Sequence, residues 1–150
     1  MFLGTNRHSI DAKGRLIIPA RDRYLLGDGG VLTRGLDTCL TLYTRGAFQK
    51  IYHNLLEESL TDPETRDLNR AMFSRAVHVE LDSAGRINIP ASLRAYAGLN
   101  KDVVLVGNGI YLEVWDAEAW VEKEAKMDEL NANPARFANK AIAFGKATSA

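Results

Sequence analysis

Two short segments of the chain carry residue types suited to one kind of chemistry, the recognition of a polyanion. Asp11-Ala12-Lys13-Gly14-Arg15 and Asp82-Ser83-Ala84-Gly85-Arg86 share the pattern Asp, two residues, Gly, Arg. The planar guanidinium of Arg15 has the fork geometry to clamp a phosphate or to bind guanine O6 and N7 together. Lys13 offers a point charge, better matched to phosphate. The same residues allow a plainer use, an ion pair between Arg15 and Asp11 across the turn. Arg86 has that choice with Asp82, or a place at an interface between protomers. Arg7, His8, Arg21 and Arg23 lie near the first turn in sequence. Arginines on helix faces are usually only solvated, and of these four Arg7 is kept as a candidate contact. The DNA-contact set is therefore Lys13, Gly14, Arg15, Arg86 and Arg7.

Catalysis has little to draw on. Cys39 with His8, His53 or His78 is the only combination of nucleophile and base. Cys39 sits in an apolar stretch, Leu36 to Tyr43, and corresponds to Tyr111 in the repeat described below, so it reads as a small core residue. The three histidines have no metal-ligand spacing among themselves or with Cys39. No phosphate loop or G-x-G-x-x-G fingerprint occurs. The expectation is no enzyme, no catalytic residues, no metal and no cofactor.

The two Gly-Arg segments belong to an internal repeat. Met1-Phe2 recurs as Met72-Phe73, and residues 10–20 recur as 81–91 at an offset of 71. After one inserted residue the offset becomes 72. Val31 then matches Val103, Gly35 matches Gly107, and Leu40, Leu42 and Tyr43 match Leu112, Val114 and Trp115. Each unit opens with a strand, a tight turn at the Asp and Gly, and a second short strand. In the second copy Arg86, Ile87, Asn88 and Ile89 alternate out and in, as a half-buried strand requires. Pro19 and Pro90 end these strands and suit the first turn of a short helix. Gly27 and Gly98 are plausible helix C-terminal glycines. A hairpin follows, roughly 31–35 with 39–43 and 103–107 with 110–115, the second turning at Asn108-Gly109. A helix closes each copy. Phe48, Ile51, Tyr52, Leu55 and Leu56 form an amphipathic stripe in the first, and Asp116 is a good N-cap in the second. Thr61 and Glu64 have capping-box spacing ahead of a linker helix over about 63–73. The tail from Pro134 reads as a last helix that frays.

The β part of each unit is about 45 residues, too short to bury a core alone. Two such halves pack with pseudo-two-fold symmetry, which places both Gly-Arg turns in equivalent positions on one face. A two-fold, repetitive ligand such as double-stranded DNA suits that arrangement. The domain reading is a first repeat over 1–60, a linker helix over 61–71, a second repeat over 72–131 and a tail over 132–150.

Composition agrees with an ordinary globular protein: 150 residues, 46% apolar and 25% charged. The longest aliphatic run is Val103 to Val106, against the roughly 20 apolar residues of a membrane helix. Met1 to Ile10 has polar residues where a signal peptide is apolar. The lone Cys39 fits a reducing compartment. No membrane association is expected, and the expected location is the cytoplasm. Net charge is zero but unevenly spread. Residues 1–50 hold eight Lys and Arg against four Asp, while residues 51–121 hold six basic and eleven acidic groups. A neutral chain can still present a basic face.

The repeated Asp-x-x-Gly-Arg, each followed by an apolar strand and Pro, resembles the MraZ family. Those proteins are tandem versions of the AbrB-like swapped-hairpin domain. The resemblance spans about residues 1–121 and includes Met1-Phe2, Gly98-Leu99 and Trp115-Asp116. It implies a β-rich α+β fold in which two swapped-hairpin halves form an intramolecular pseudo-dimer β-barrel with flanking helices. It implies a DNA-binding transcriptional regulator at the nucleoid, a repressor of its own division and cell-wall gene cluster. Such a regulator binds direct repeats in the promoter and assembles into a ring-like homo-oligomer, with no small-molecule ligand expected. The first-copy turn carries the DNA contact in that family, so Lys13 and Arg15 inherit the role. In the second copy Ala84 replaces the lysine and only Arg86 is kept. The other readings are an antitoxin-like or a structural interaction module of the same fold.

Overall fold

A computed structural model describes residues 1–144; the expected fraying of the last residues lies outside them. The fold is α+β, and its sheet is antiparallel throughout. The chain runs β1 (Thr5–Ser9), β2 (Arg15–Ile17), α1 (Ala20–Leu26), β3 (Gly29–Arg34), β4 (Leu40–Thr44) and α2 (Arg45–Leu56). It continues through α3 (Pro63–Phe73), β5 (Val77–Glu80), β6 (Arg86–Asn88), α4 (Ala91–Tyr96), β7 (Asp102–Gly107) and β8 (Tyr111–Asp116). These elements form one compact unit, Met1–Ala117. A second unit begins at Glu118 and contains most of α5 (Ala117–Asn131) and a 3-10 run, Pro134–Phe144, where a regular last helix was expected. Within it Arg136 donates to Asn131 Oδ1 at 2.7 Å.

Six strands form one sheet in the order β1-β7-β8-β4-β3-β5, and β2 pairs with β6 as a separate ribbon. Both copies contribute to every region of this arrangement. The first copy's β1 pairs with the second copy's β7, and the second copy's β5 pairs with the first copy's β3. The ladder is open. β1 and β5 are its end strands, and no ladder joins them among the described residues, so a closed barrel is absent.

Period-two patterning explains the layers. One sheet face, with Leu32, Leu40, Leu42, Val103, Leu105, Leu112 and Val114, packs on Leu16, Ile18, Ile87 and Ile89 from the ribbon and the residues after it. The other face carries Val31, Tyr43, Val104 and Trp115. There the Tyr43 ring lies 5.2 Å from Tyr111 and 5.6 Å from Phe48, and Phe48 lies 5.6 Å from Phe73, so α2 and α3 cover this side. The apolar stripe of α2 is only partly covered: Leu56 and Tyr52 stay exposed.

Local signals mostly decide the boundaries. Pro19 and Pro90 precede α1 and α4, and Gly27 ends α1 at φ 69°. The linker helix spans Pro63–Phe73, but its cap is Asp62 rather than Thr61: Asp62 Oδ1 accepts from the Glu64 N–H at 3.0 Å. The apolar stretch from Leu36 becomes strand only at Leu40; Leu36 itself is exposed in the hairpin loop. Ladder register also corrects the repeat alignment. Val31 opposes Tyr43 as Val104 opposes Trp115, so Val31 corresponds to Val104 rather than Val103, and Arg34 to Gly107. The extra residue of the first copy lies in its hairpin loop, where strand periodicity gives no signal.

Candidate nucleic-acid interface

Each Gly-Arg turn is built by its aspartate. Asp11 Oδ1 accepts from the backbone N–H of Lys13 and of Arg15, both at 2.9 Å, and Gly14 N–H donates to Asp11 O at 2.9 Å. Gly14 takes φ 80°, a left-handed conformation that suits glycine. The second turn repeats this: Asp82 Oδ1 accepts from Ala84 and Arg86 N–H at 2.9 Å, with Gly85 at φ 78°. Hydrogen bonding holds both carboxyls below the usual carboxylate range. The backbone N–H of Arg15 contributes most at Asp11, and that of Arg86 at Asp82, each offset in part by desolvation and joined by the arginine side chain.

The ion pair of the plainer reading is present. Arg15 Nε donates to Asp11 Oδ2 at 2.7 Å, and Arg86 Nε to Asp82 Oδ2 at 2.8 Å. It engages one edge of each guanidinium. The terminal Nη atoms of both arginines carry no hydrogen bond among the described residues. The aspartates therefore orient the arginines and leave the fork open.

The ribbon brings the two turns together. Arg15 pairs with Asn88, Leu16 with Ile87 and Ile17 with Arg86. Leu16 and Ile87 point into the core, so Arg15, Ile17, Arg86 and Asn88 share the outward face. Arg15 and Arg86 are diagonal neighbours there, at the ~7–8 Å spacing of such pairs. Ile18 N–H donates to Gly85 O at 3.0 Å and Ile89 N–H to Gly14 O at 2.9 Å, reciprocal bonds that express the internal two-fold. Lys13 is exposed at the turn. Arg7 is not brought to the ribbon: it opposes Val104, which places it on the far sheet face.

Two arginines at this site had not been singled out. Arg23, weighed only as a helix-face residue, lies over Gly85: a β-carbon there would meet its guanidinium at 2.0 Å. Arg94 lies over Gly14 in the same way at 3.0 Å. Each turn thus carries an arginine from the helix of the other copy. The available signal was that Arg23 and Arg94 keep the offset of 71.

Cys39 is fully buried, with Sγ 3.5 Å from Glu113 Oε2. No helix among the described residues is long and apolar enough to cross a membrane.

A family model described as MraZ protein and antitoxin-like matches residues 1–71 and again 72–140. The chain belongs to the MraZ family. A protein named Transcriptional regulator MraZ from Thermomicrobium roseum is 48% identical over 120 residues, covering 80% of this chain and 84% of that one. The MraZ of Paenarthrobacter aurescens is 42% identical over 133 residues, covering 86% and 93%. That of Mycoplasmoides gallisepticum, under the same name, is 42% identical over 132 residues, covering 87% and 93%. The paired match on two successive segments coincides with the repeat that builds the ribbon.

Proposed function

We propose that this chain is a sequence-specific DNA-binding transcriptional regulator, located in the cytoplasm at the nucleoid, that represses its own division and cell-wall gene cluster by binding direct repeats in the promoter. The observation that carries this reading is the outward face of the β2–β6 ribbon. Two arginines sit there side by side, each steadied through Nε and open at Nη, with Lys13 beside them and Arg23 and Arg94 over the glycines. The names of the relatives support regulation of transcription. Arg15 reads a base edge or holds a phosphate, Lys13 neutralises a phosphate, and Gly14 lets the turn close. Arg86 contributes less, because its turn lacks the lysine. Arg7, on the far face, serves only DNA held by a neighbouring protomer. The cross-paired halves act as an intramolecular swapped-hairpin pseudo-dimer, with the ribbon spanning its open side, and 1–60 and 72–131 are its repeats.

One ribbon offers few charges, so affinity comes from several copies in a ring-like homo-oligomer, where multivalency adds ~10²–10⁴. The test is a gel-shift titration on DNA upstream of the gene and on a scrambled duplex, at two salt concentrations. Arg15→Ala lowers affinity by about 1–3 kcal/mol per engaged protomer, with assembly intact, and Arg86→Ala by less. A loss that flattens sequence preference marks a base contact; a uniform loss with a shallower salt slope marks a phosphate. Full binding by Arg15→Ala refutes the reading. The antitoxin-like description of the family favours a second reading, an interaction module for a partner protein. An antitoxin of this fold would also bind DNA but would co-purify with a partner protein, so specific DNA binding without such a partner separates the two.

A further inference from the structure

The two halves differ at one place where their symmetry would make them alike. Phe2, Leu3 and Gly4 run beside the second hairpin. Phe2 N–H donates to Gly109 O at 2.7 Å, Gly109 N–H to Phe2 O at 2.9 Å, and Gly107 N–H to Gly4 O at 2.8 Å. The approach needs glycine, since a β-carbon at Gly107 would lie 2.4 Å from the Leu3 nitrogen. Register assigns the counterparts in the other half. Asn6 opposes Leu105 as Val77 opposes Leu32, so Gly4 corresponds to Arg75 and Gly107 to Arg34. Where one half brings two glycines together, the other has two arginines. Its leading segment turns away: Phe73 ends α3 and packs edge-on against Phe48 and Tyr52.

The space left is a groove of about 340 Å³ lined by Arg34, Leu36, Arg70, Ser74, Arg75 and Tyr96. It continues past Arg34, Ser74 and Arg75 to Ser92. Three arginines line it, and no aspartate or glutamate does. Arg70 is paired through Nη1 with Asp67 at 2.9 Å. Arg34 rests over the Tyr96 ring at 4.2 Å, and its Nε is buried without an acceptor. Arg75 is exposed and makes no ion pair or side-chain hydrogen bond among the described residues. Like charges gathered at facing positions repel. An anion in the groove relieves that repulsion.

We propose that this groove binds a small phosphate-bearing ligand no larger than a nucleotide. Its volume falls at the small end of ligand cavities, about 300–1,000 Å³. Guanidinium forks match phosphate oxygens two at a time, and the Ser92 hydroxyl adds a donor; the Ser74 hydroxyl already donates to the Arg70 carbonyl. The site uses neither Arg15 nor Arg86, so it stands independently of the DNA reading. Isothermal titration of the full chain with pyrophosphate, and with adenosine diphosphate, tests it. Saturable binding is expected for at least one, weakened tenfold or more in Arg75→Ala and unchanged in Arg15→Ala. Ser74→Asp, which adds a carboxylate at an exposed position, reads the same loss should Arg75→Ala fold poorly. Absence of saturable binding, or its loss in Arg15→Ala instead, overturns the proposal. In a parallel gel shift Arg75→Ala binds duplex as the parent does. A loss matching that of Arg15→Ala would assign the groove to the DNA backbone and overturn the free-ligand site.

Discussion

At the scale of single residues, the Gly-Arg turn divides its work between three side chains. Aspartate folds the backbone and turns the arginine outward, glycine supplies the left-handed φ, and arginine presents the open fork. The glycine has a second reason to lack a side chain, the guanidinium that arrives from the other copy. Gly14→Ala and Gly85→Ala each adopt a strained φ and lose about 1–2 kcal/mol of stability by urea denaturation. Arg23 lies closer to Gly85 than Arg94 does to Gly14, but a long side chain can yield. The two losses therefore match within a few tenths of a kcal/mol; a loss above about 4 kcal/mol at either position would mean that the backbone beyond it cannot give. Aspartate, glycine and arginine were all legible in the sequence, because a turn is local. The overlying Arg23 and Arg94 were not, because each acts on a turn 60 or more residues from its own, and only pairing of the halves brings them there.

At the scale of elements, α1 and α4 occupy equivalent places but differ at one buried position. Leu93 in α4 packs into the core, whereas its counterpart in α1, Asp22, is 1% exposed and its carboxylate accepts no hydrogen bond among the described residues. Arg21 Nε is 3.9 Å away, a distant ion pair. Burial raises the Asp22 pKa above its ordinary value, against the opposing pull of Arg21, the N-terminal amine and His8. A raised carboxyl stabilises the fold only when protonated, so its contribution is present below the unfolded value of about 3.9 and is lost as pH rises through the folded value. Asp11 and Asp82 have the opposite sign. Their contribution is present above that value and fades as pH falls through their lowered folded values. Asp22→Leu is accordingly expected to raise stability at pH 7 by about 1–3 kcal/mol in urea denaturation, with the gain shrinking toward pH 4. A loss at pH 7 would show that the attraction of Arg21, the N-terminal amine and His8 outweighs the cost of burying the charge. The elements themselves were largely readable: strand alternation, prolines and glycines placed the hairpins and short helices, and α3 falls on its expected residues. The register of β3 was misaligned by one residue, since apolar residues on both faces of a buried strand erase the period that would fix it.

At the scale of the whole molecule, four of the six ladders among the described residues join one copy to the other: β1 with β7, β2 with β6, β3 with β5 and β4 with β8. Only β3–β4 and β7–β8 lie within a copy. The repeat in the sequence announced two alike halves, but not which strand pairs with which, because three-residue strands such as β2 and β6 carry too little pattern to name a distant partner. The exposed segment between α2 and α3 is the one covalent link between the copies. A protease site placed at residues 57–61 and cut under native conditions is expected to leave a single particle on size exclusion that resolves into two fragments only in denaturant. Separation of the fragments without denaturant would contradict the cross-pairing. The β1–β7 ladder also bears on how the protein is made. Ser9 finds its partner Asp102 only when the ribosome has added about 90 further residues, some 5–20 s of synthesis. β1, made before the other strands described, is among the last to be seated, and the nascent first copy must wait, incomplete, for the second.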